Sequence, residues 1–255
     1  MRFEYKYLVP YAQLADLRAA VLPFVRMDSF AEKCGGQYTV KSIYFDTPGF
    51  EMYQTKIDGR ANRLKVRLRG YNSGGPDAPV FFEIKRKFEA PIQKNRAPAR
   101  FSEAIRMFEG EAIEKFIERE KWADDAARFF YQIHARQMKP IVNVIYEREP
   151  FLSSATDVVN DARITFDKNL RSVAWPTVDR LFDETGAVAA LGGVFILEIK
   201  FNQYCPIWLR DIVDDLKLYR EAASKYTTCI DCQPGIDPEK RFQPLVKGRI
   251  FETTT

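Results

Sequence analysis

The chain has 255 residues, 46% hydrophobic and 29% charged, which suits one large folded domain or two small ones. Its 39 Lys and Arg residues against 35 Asp and Glu give a net charge of +4, too small to indicate a nucleic-acid binder. The sequence contains no apolar run near the ~20 residues of a membrane-spanning helix and no signal peptide, so we expect a cytoplasmic protein.

Eight strands are predicted from β-branched and aromatic content with period-two alternation, at about 2–9, 37–46, 61–70, 79–88, 139–149, 161–168, 171–175 and 193–201. Helical spacing of apolar residues predicts helices at about 10–22, in a mixed region at 102–136, and at 207–220. The Gly-rich stretch 72–79 predicts a hairpin loop. Because no linker divides the chain, we expect one domain over 1–230 and an extended tail over 231–255.

Charged residues occupy one face of several predicted strands. Four cations share a face of the third strand: Arg63, Lys65, Arg67 and Arg69. The pattern Glu-x-Lys occurs three times, always within a predicted strand, as Glu4-Lys6, Glu83-Lys85 and Glu198-Lys200. Side chains two apart on a strand stand roughly 6.5–7 Å apart on one face. A carboxylate there can hold a metal ion while the neighbouring ammonium holds the phosphate oxygens that the metal also touches.

Two arrangements of these strands are open. An exposed sheet with cross-strand ion pairs would give the same pattern. The opposite faces are rich in large apolar residues, however, and amphipathic helices are available to cover them. The charged faces would then point inward, which costs several kcal/mol per unpaired ion unless the interior holds water and polyanions. We therefore predict an α+β fold, an antiparallel eight-stranded β-barrel forming a phosphate-binding tunnel, with helices packed outside.

Seven stretches of the chain, taken in order, carry a family resemblance: RFEYKYLVP, SIYFDT with RLKVRLRGY, FFEIKRK with QKNR, PIVNVIYEREPF, DARITFDKNL, FILEIKF and SKY. They run from residue 2 to about residue 226. Together they resemble the VTC (vacuolar transporter chaperone) polyphosphate polymerase domain of the triphosphate tunnel metalloenzyme superfamily. Each single motif is weak, whereas their shared order is specific.

The resemblance implies roles for individual residues. Those implied to be catalytic are Lys6, Arg67, Arg69, Lys85 and Lys200. Those implied to bind phosphates are Lys94, Arg148, Arg163, Ser224 and Lys225. Glu198 matches the family's metal-binding carboxylate, with Glu4 beside it in the tunnel, and the implied cofactor is Mn²⁺ or Mg²⁺.

The implied activity is transfer of the γ-phosphate of ATP, or of another nucleoside triphosphate, to a growing polyphosphate chain. Two alternatives stay open: a tunnel-type triphosphatase that hydrolyses inorganic or nucleoside triphosphate, and a non-enzymatic polyphosphate-binding module. Triphosphatases of this fold usually carry an E-x-E-x-K strand, whereas Arg2 takes the place of the first Glu here, which favours polymerisation. A nucleic-acid partner is disfavoured because the aromatic residues alternate against the cations.

Other features of the sequence are given no functional role. Cys229 and Cys232 form a lone C-x-x-C without the further Cys or His residues of a zinc site, so we expect reduced thiols. The single histidine, His134, lies in a helical pattern and is not a candidate for catalysis. The membrane-bound relatives carry a membrane segment that this chain lacks, so any membrane association would need a separate partner chain.

Overall fold

The computed structural model describes residues 2–87, 92–154 and 162–239. Its strands are β1 (Arg2–Pro10), β2 (Val25–Met27), β3 (Tyr38–Asp46), β4 (Arg63–Tyr71), β5 (Pro79–Lys87), β6 (Ile92–Arg100), β7 (Lys139–Ser153), β8 (Arg163–Ala174), β9 (Val188–Ala189) and β10 (Val194–Asn202). Its α-helices are α1 (Leu14–Val21), α2 (Ser29–Lys33), α3 (Glu51–Ile57), α4 (Phe101–Phe108), α5 (Glu120–Ala135), α6 (Ile207–Asp215) and α7 (Lys225–Asp231).

Eight of the strands form one antiparallel sheet in the order β1-β10-β8-β7-β3-β4-β5-β6, with β2 added to β7 and β9 to β8. Among the described residues β1 and β6 do not pair with each other, so the ladder is not closed into a barrel by hydrogen bonds. The sheet is nevertheless strongly curved. This follows from the 3.8 Å distance between the side chains of Glu4 on β1 and Lys85 on β5, which are far apart in the strand order. The curvature encloses one face of the sheet, the interior face, and the predicted tunnel-like α+β fold is confirmed.

Helices cover the outer face of this sheet in two apolar layers. One layer packs α1 and α6 against β1, β8 and β10 through residues such as Leu17, Ile164, Leu197 and Leu209, all fully buried. The other packs α4 and α5 against β5 and β6 and includes Phe82 and Phe129. Each such side chain contributes roughly 1.5–3 kcal/mol on burial. The alternate residues of the strands therefore point away from both layers, into the interior.

Helix α7 packs on the interior face of the sheet. Its Tyr226 hydroxyl donates a hydrogen bond of 2.5 Å to Asp46 at the end of β3, and the Tyr226 ring stacks on Tyr44 with centroids 5.0 Å apart. A second bond of 2.6 Å runs from Tyr53 on α3 to Asp231 on α7. These bonds hold both ends of α7 in place on the interior face.

Some predicted elements differ from the observed ones. The strands expected at 161–168 and 171–175 are one strand, β8, in which Asn169 has a left-handed φ of 51° and the register against β7 shifts. The helix expected over 207–220 ends at Asp215, and Lys217 has a φ of 52°. The mixed region 102–136 contains two helices, and β6 was not predicted as a strand.

The C-terminal part of the prediction stays open. Of the tail expected over 231–255, residues 240–255 lie outside the described part of the chain. Within the described part, Gln233 donates a 2.6 Å hydrogen bond to the backbone oxygen of Ser172, and Ile236 is buried. No helix among the described residues is long and apolar enough to span a membrane.

Candidate functional site

The interior face carries a cluster of charged side chains in which cations outnumber carboxylates. We call it the interior cluster, and it consists of the cations Lys6, Lys65, Arg67, Arg69, Lys85, Lys94, Arg96, Arg148, Lys200 and Lys225 with the carboxylates Glu4, Glu83, Asp167 and Glu198. Strand alternation places these side chains together, since residues two apart on a strand share a face. Helix α7 contributes Lys225.

Glu83 on β5 is the centre of one half of the cluster. Its side chain is 2% exposed and lies 2.6 Å from Arg67, 3.0 Å from Lys94, 3.2 Å from Arg96 and 3.8 Å from Arg69. Burial alone would raise the pKa of Glu83, but the surrounding cations, Arg67 foremost, outweigh burial and hold that pKa well below its usual range. One ionised carboxylate thus orients four cations.

Asp167 on β8 is the centre of the other half. Arg148 on β7 binds it in bidentate fashion at 2.7 and 2.8 Å, and Lys225 lies 2.6 Å from its second oxygen. Lys225 also lies 3.7 Å from Glu198. Burial would lower the pKa of Lys225, but Asp167 and Glu198 outweigh it and raise that pKa above its usual value. The first residue of α7 is therefore fixed as a cation inside the sheet.

Strands β1 and β10 alternate their charges across the ladder. Lys6 is opposite Glu198, and Glu4 is opposite Lys200. Glu4 lies 2.9 Å from Lys6, 3.7 Å from Lys200 and 3.8 Å from Lys85. Burial and the nearby charge of Glu198 act to raise the pKa of Glu4. These three lysines outweigh both effects and lower that pKa to about 2. Burial acts to raise the pKa of Glu198 too, but Lys225 and Lys200 outweigh it and hold that pKa well below its usual value, so both glutamates of this edge are ionised at neutral pH.

Three lysines form a row across the neighbouring strands. Lys65, Lys85 and Lys94 are direct register partners on β4, β5 and β6. Like charges directly opposite each other destabilise a sheet. Lys65 has no ion pair within the described structure, and its side chain donates instead to the Ser224 hydroxyl at 3.3 Å. Burial lowers the pKa of Lys65 to about 8. A bound anion would remove the electrostatic cost of this row.

A tyrosine on β3 completes the site. The buried Tyr44 hydroxyl accepts a 2.7 Å hydrogen bond from Nη1 of Arg67. Burial would raise the pKa of Tyr44, but Arg67, Lys65 and Arg69 outweigh burial and lower it to about 7. The phenol oxygen is thus a hydrogen-bond acceptor among cations that favour its ionised form.

Eleven of the twelve predicted site residues lie together in or against the cluster: Glu4, Lys6, Arg67, Arg69, Lys85, Lys94, Arg148, Glu198, Lys200, Ser224 and Lys225. Arg163 does not pair with the carboxylates of the cluster, since its ion pair is with Asp28 at 3.6 Å. The functional roles of all the predicted site residues stay predictions.

Five members of the site were not among the predicted site residues: Tyr44, Lys65, Glu83, Arg96 and Asp167. The alternation that identified Arg67 also contains Lys65, and the Glu-x-Lys pattern contains Glu83, so these two had a signal. Tyr44 lies in the apolar stretch SIYF and had none.

The residues present fit a divalent metal ion that is shared with a phosphate ligand. The described residues hold no group of three or more His, Cys, Asp or Glu side chains suited to a metal ion. Glu4 and Glu198 are, however, close enough on adjacent strands that Glu198 acts to raise the pKa of Glu4. Mg²⁺ is typically bound through one or two carboxylates together with substrate phosphates and waters. Two carboxylates beside a phosphate site therefore match its usual donor set.

Two comparisons relate the sequence of the chain to known proteins. The family model of the VTC domain matches residues 1–233. Subunit 4 of the vacuolar transporter chaperone complex of Trypanosoma brucei brucei is 24% identical over 207 residues, which cover 68% of this chain and 26% of that protein. The chain therefore spans about a quarter of the length of that relative.

A solved structure shares the fold. It belongs to a candidate adenylyl cyclase from Hippeastrum that is described as having a dominant triphosphatase activity. The two structures superpose with a TM-score of 0.52 at 11% sequence identity, over 90% of this chain and 95% of that one.

Proposed function

This chain belongs to the VTC domain family, and we propose that it is a polyphosphate polymerase that extends a polyphosphate chain with the γ-phosphate of ATP. The observation that carries the proposal is the surplus of cations in the buried interior cluster. The row formed by Lys65, Lys85 and Lys94 is the sharpest instance, because three lysines are direct register partners on adjacent strands.

A surplus of buried cations requires a matching anion. Removing an ion from water costs several kcal/mol unless another charge compensates it. The four carboxylates of the cluster are already engaged, since Glu83 alone contacts four cations. A linear polyanion that carries charge at every phosphate would supply the missing negative charge along the whole interior.

The arginines and lysines differ in what they would do to such a chain. Planar guanidinium groups such as Arg67 and Arg148 bind phosphate oxygens in bidentate geometry, and their carboxylate partners fix their orientation beforehand. Lysines such as Lys85 and Lys200 act as more adaptable point charges. The arginines would therefore position the reacting phosphates, while the lysines neutralise charge along the chain.

The chemistry proposed for this site is a phosphoryl transfer. An oxygen of the terminal phosphate of the acceptor chain attacks the γ-phosphorus of ATP, and the bond from that phosphorus to the β,γ-bridging oxygen breaks. ADP leaves with the bonding electrons, and the chain is longer by one unit. Positioning and charge neutralisation dominate catalysis of this kind. The acceptor oxygen is already ionised, so no strong base is needed, in keeping with a single histidine, His134, exposed on α5.

Glu198, with Glu4, would hold a divalent metal ion, Mn²⁺ or Mg²⁺, together with phosphate oxygens, and such an ion neutralises phosphate charge when it is bound. Lys200 is opposite Glu4 across the ladder and contacts Glu198. Its place between the two carboxylates keeps them ionised and ready for a cation.

A tunnel-type triphosphatase is the second candidate function. The triphosphatase activity described for the structurally similar Hippeastrum protein favours it. Against it stands the first strand, in which Glu4 is the single glutamate in register with Lys6 and Arg2 takes the other position. A polyphosphate-binding module without turnover is a third candidate, which would use the same cluster.

The fate of the γ-phosphate separates these functions. Purified protein is incubated with γ-labelled ATP and Mn²⁺ or Mg²⁺, and the products are resolved on a polyphosphate gel. A polymerase places the label in a ladder of long chains. Label in orthophosphate alone would move the protein to the triphosphatase class, and unchanged ATP with tight polyphosphate binding would leave a binding module.

A further inference from the structure

Two cations continue the interior face beyond the cluster. Arg63 on β4 and Lys87 on β5 are register partners, two residues beyond the pair Lys65 and Lys85 and on the same face. Neither forms an ion pair with any carboxylate in the described ranges. Lys56, at the end of α3, lies nearby: burial, then Arg63 and Lys6, lower its pKa. Among the described residues, none of these three cations forms an ion pair with a carboxylate.

The burial of the side chains shows where this group lies. The exposed fraction rises along β5 from 2% at Glu83 to 40% at Lys85, and Lys87 is exposed. It rises along β4 from 9% at Arg69 to 18% at Arg67. The face on which these residues lie therefore passes from buried to solvent-accessible toward Arg63 and Lys87.

We propose that Arg63 and Lys87, flanked by Lys56, form a second phosphate-binding site, the mouth site, for phosphates beyond the triphosphate bound in the interior cluster. Its ligand is a linear inorganic polyphosphate longer than three units. The proposal rests on the proposed function, because the same chain must also occupy the interior cluster.

Spacing and charge support this assignment. Arg63 lies four positions before Arg67 on β4, about 13 Å away along the strand. That distance suits phosphates further along a bound polyphosphate rather than the three phosphates bound near Arg67. The cross-strand pair of Arg63 and Lys87 is repulsive when it is empty. Bound phosphates would turn that repulsion into attraction and would make affinity depend on chain length.

The experiment compares two ligands on two matched variants. Binding of tripolyphosphate and of long-chain polyphosphate is measured by calorimetry for wild type and for the double variant Arg63→Gln/Lys87→Gln. The control, Arg210→Gln/Lys121→Gln, removes the same charge from exposed positions on α6 and α5. We expect the Kd for the long chain to rise about tenfold in the mouth variant. We expect the Kd of the mouth variant for tripolyphosphate to stay within about twofold of wild type. The control variant should keep its Kd for both ligands within about twofold of wild type.

Two results would overturn the mouth site: an unchanged Kd for the long chain, or an equal loss of affinity for both ligands. Failure of the premise shared with the proposed function, that the interior cluster binds phosphates, looks different, because wild type would then bind neither ligand. A selective loss of long-chain binding with tripolyphosphate binding intact supports the mouth site, whichever reaction the interior cluster performs.

Discussion

Arg67 on β4 donates from both Nε, at 2.8 Å, and Nη2, at 2.6 Å, to the same oxygen of Glu83 on β5. The other Glu83 oxygen lies 3.0 Å from Lys94 and 3.2 Å from Arg96. The remaining nitrogen of Arg67, Nη1, donates to Tyr44. The guanidinium plane is therefore fixed from two sides before any ligand binds, which is the preorganisation that a phosphate-binding arginine needs.

Replacement of Glu83 by Gln should destabilise the empty protein and leave the ligand-bound protein less affected. The variant leaves four neighbouring cations without their carboxylate, which we expect to lower the free energy of unfolding by about 3 kcal/mol. Urea unfolding with and without tripolyphosphate measures both effects. Because the pKa of Glu83 is depressed in the folded state, its contribution is full above the unfolded pKa and is lost as pH falls through the folded one.

Glu118→Gln, an exposed carboxylate outside the cluster, is the matched control and should leave unfolding unchanged. If Glu83→Gln were as stable as Glu118→Gln without ligand, the carboxylate would not be compensating the cations.

Replacement of Arg67 by Ala should strongly reduce turnover while the fold persists. Glu83 keeps three other cations in this variant, so the protein stays folded, but the transferred phosphate loses a fixed donor pair. We expect kcat to fall by about 100- to 1000-fold. Steady-state kinetics and circular dichroism on this variant and on Arg106→Ala, a surface arginine of α4, provide the comparison. A folded Arg67→Ala protein with full activity would show that the interior assignment is wrong.

Tyr44 should titrate near neutral pH in the empty protein. Its pKa of about 7 lies below the ordinary tyrosine value near 10, because Arg67, Lys65 and Arg69 overcome the effect of burial. Absorbance of the phenolate in a pH titration should show one tyrosine ionising near pH 7. Tripolyphosphate should move that step to higher pH, since bound phosphates neutralise the same cations.

The sign of the linked stability follows from the depressed pKa. The contribution of ionised Tyr44 is fully present above the unfolded pKa near 10 and is lost as pH falls through about 7. Tyr44→Phe should remove the low step, and Tyr131→Phe, which alters a tyrosine that is 67% exposed, should retain it. A step near pH 7 that persists in Tyr44→Phe would contradict this assignment.

Replacement of Glu198 by Gln should separate metal dependence from phosphate binding. The variant removes a carboxylate proposed to hold the metal ion, so activity should lose its response to Mn²⁺ or Mg²⁺. It also removes negative charge beside Lys6, Lys200 and Lys225, so tripolyphosphate should bind more tightly in the presence of a chelator. Calorimetry in EDTA tests the second effect, and weaker binding there would argue that Glu198 serves mainly to hold its lysines.

The interior residues could be predicted because the side chains of a strand alternate between only two faces. Alternation with period two assigns Lys6, Arg67, Lys85 and Lys200 to the face opposite the apolar residues, and the covering helices decide which face is enclosed. Strand β6 was harder to predict, because the stretch QKNRAPAR lacks alternating apolar residues. It is a strand because β5 supplies a partner along its whole length.

The pairing of charges could not be predicted from spacing. Glu83 contacts residues of β4 and β6, and Asp167 contacts residues of β7 and α7, and these contacts depend on register, curvature and the entry of α7. The same holds for Arg163, which shares a face with Asp167 but pairs with Asp28 just before α2. Sequence patterns thus predict membership of a face more readily than the contacts made there.

The central claim is that the interior cluster binds a chain of phosphates, and calorimetric titration of the purified protein with tripolyphosphate tests it most directly. We predict one site per chain, an affinity at least tenfold weaker in Lys200→Ala, and an unchanged affinity in Lys121→Ala, which alters an exposed residue of α5. Absence of binding, or equal binding by all three proteins, would contradict the claim.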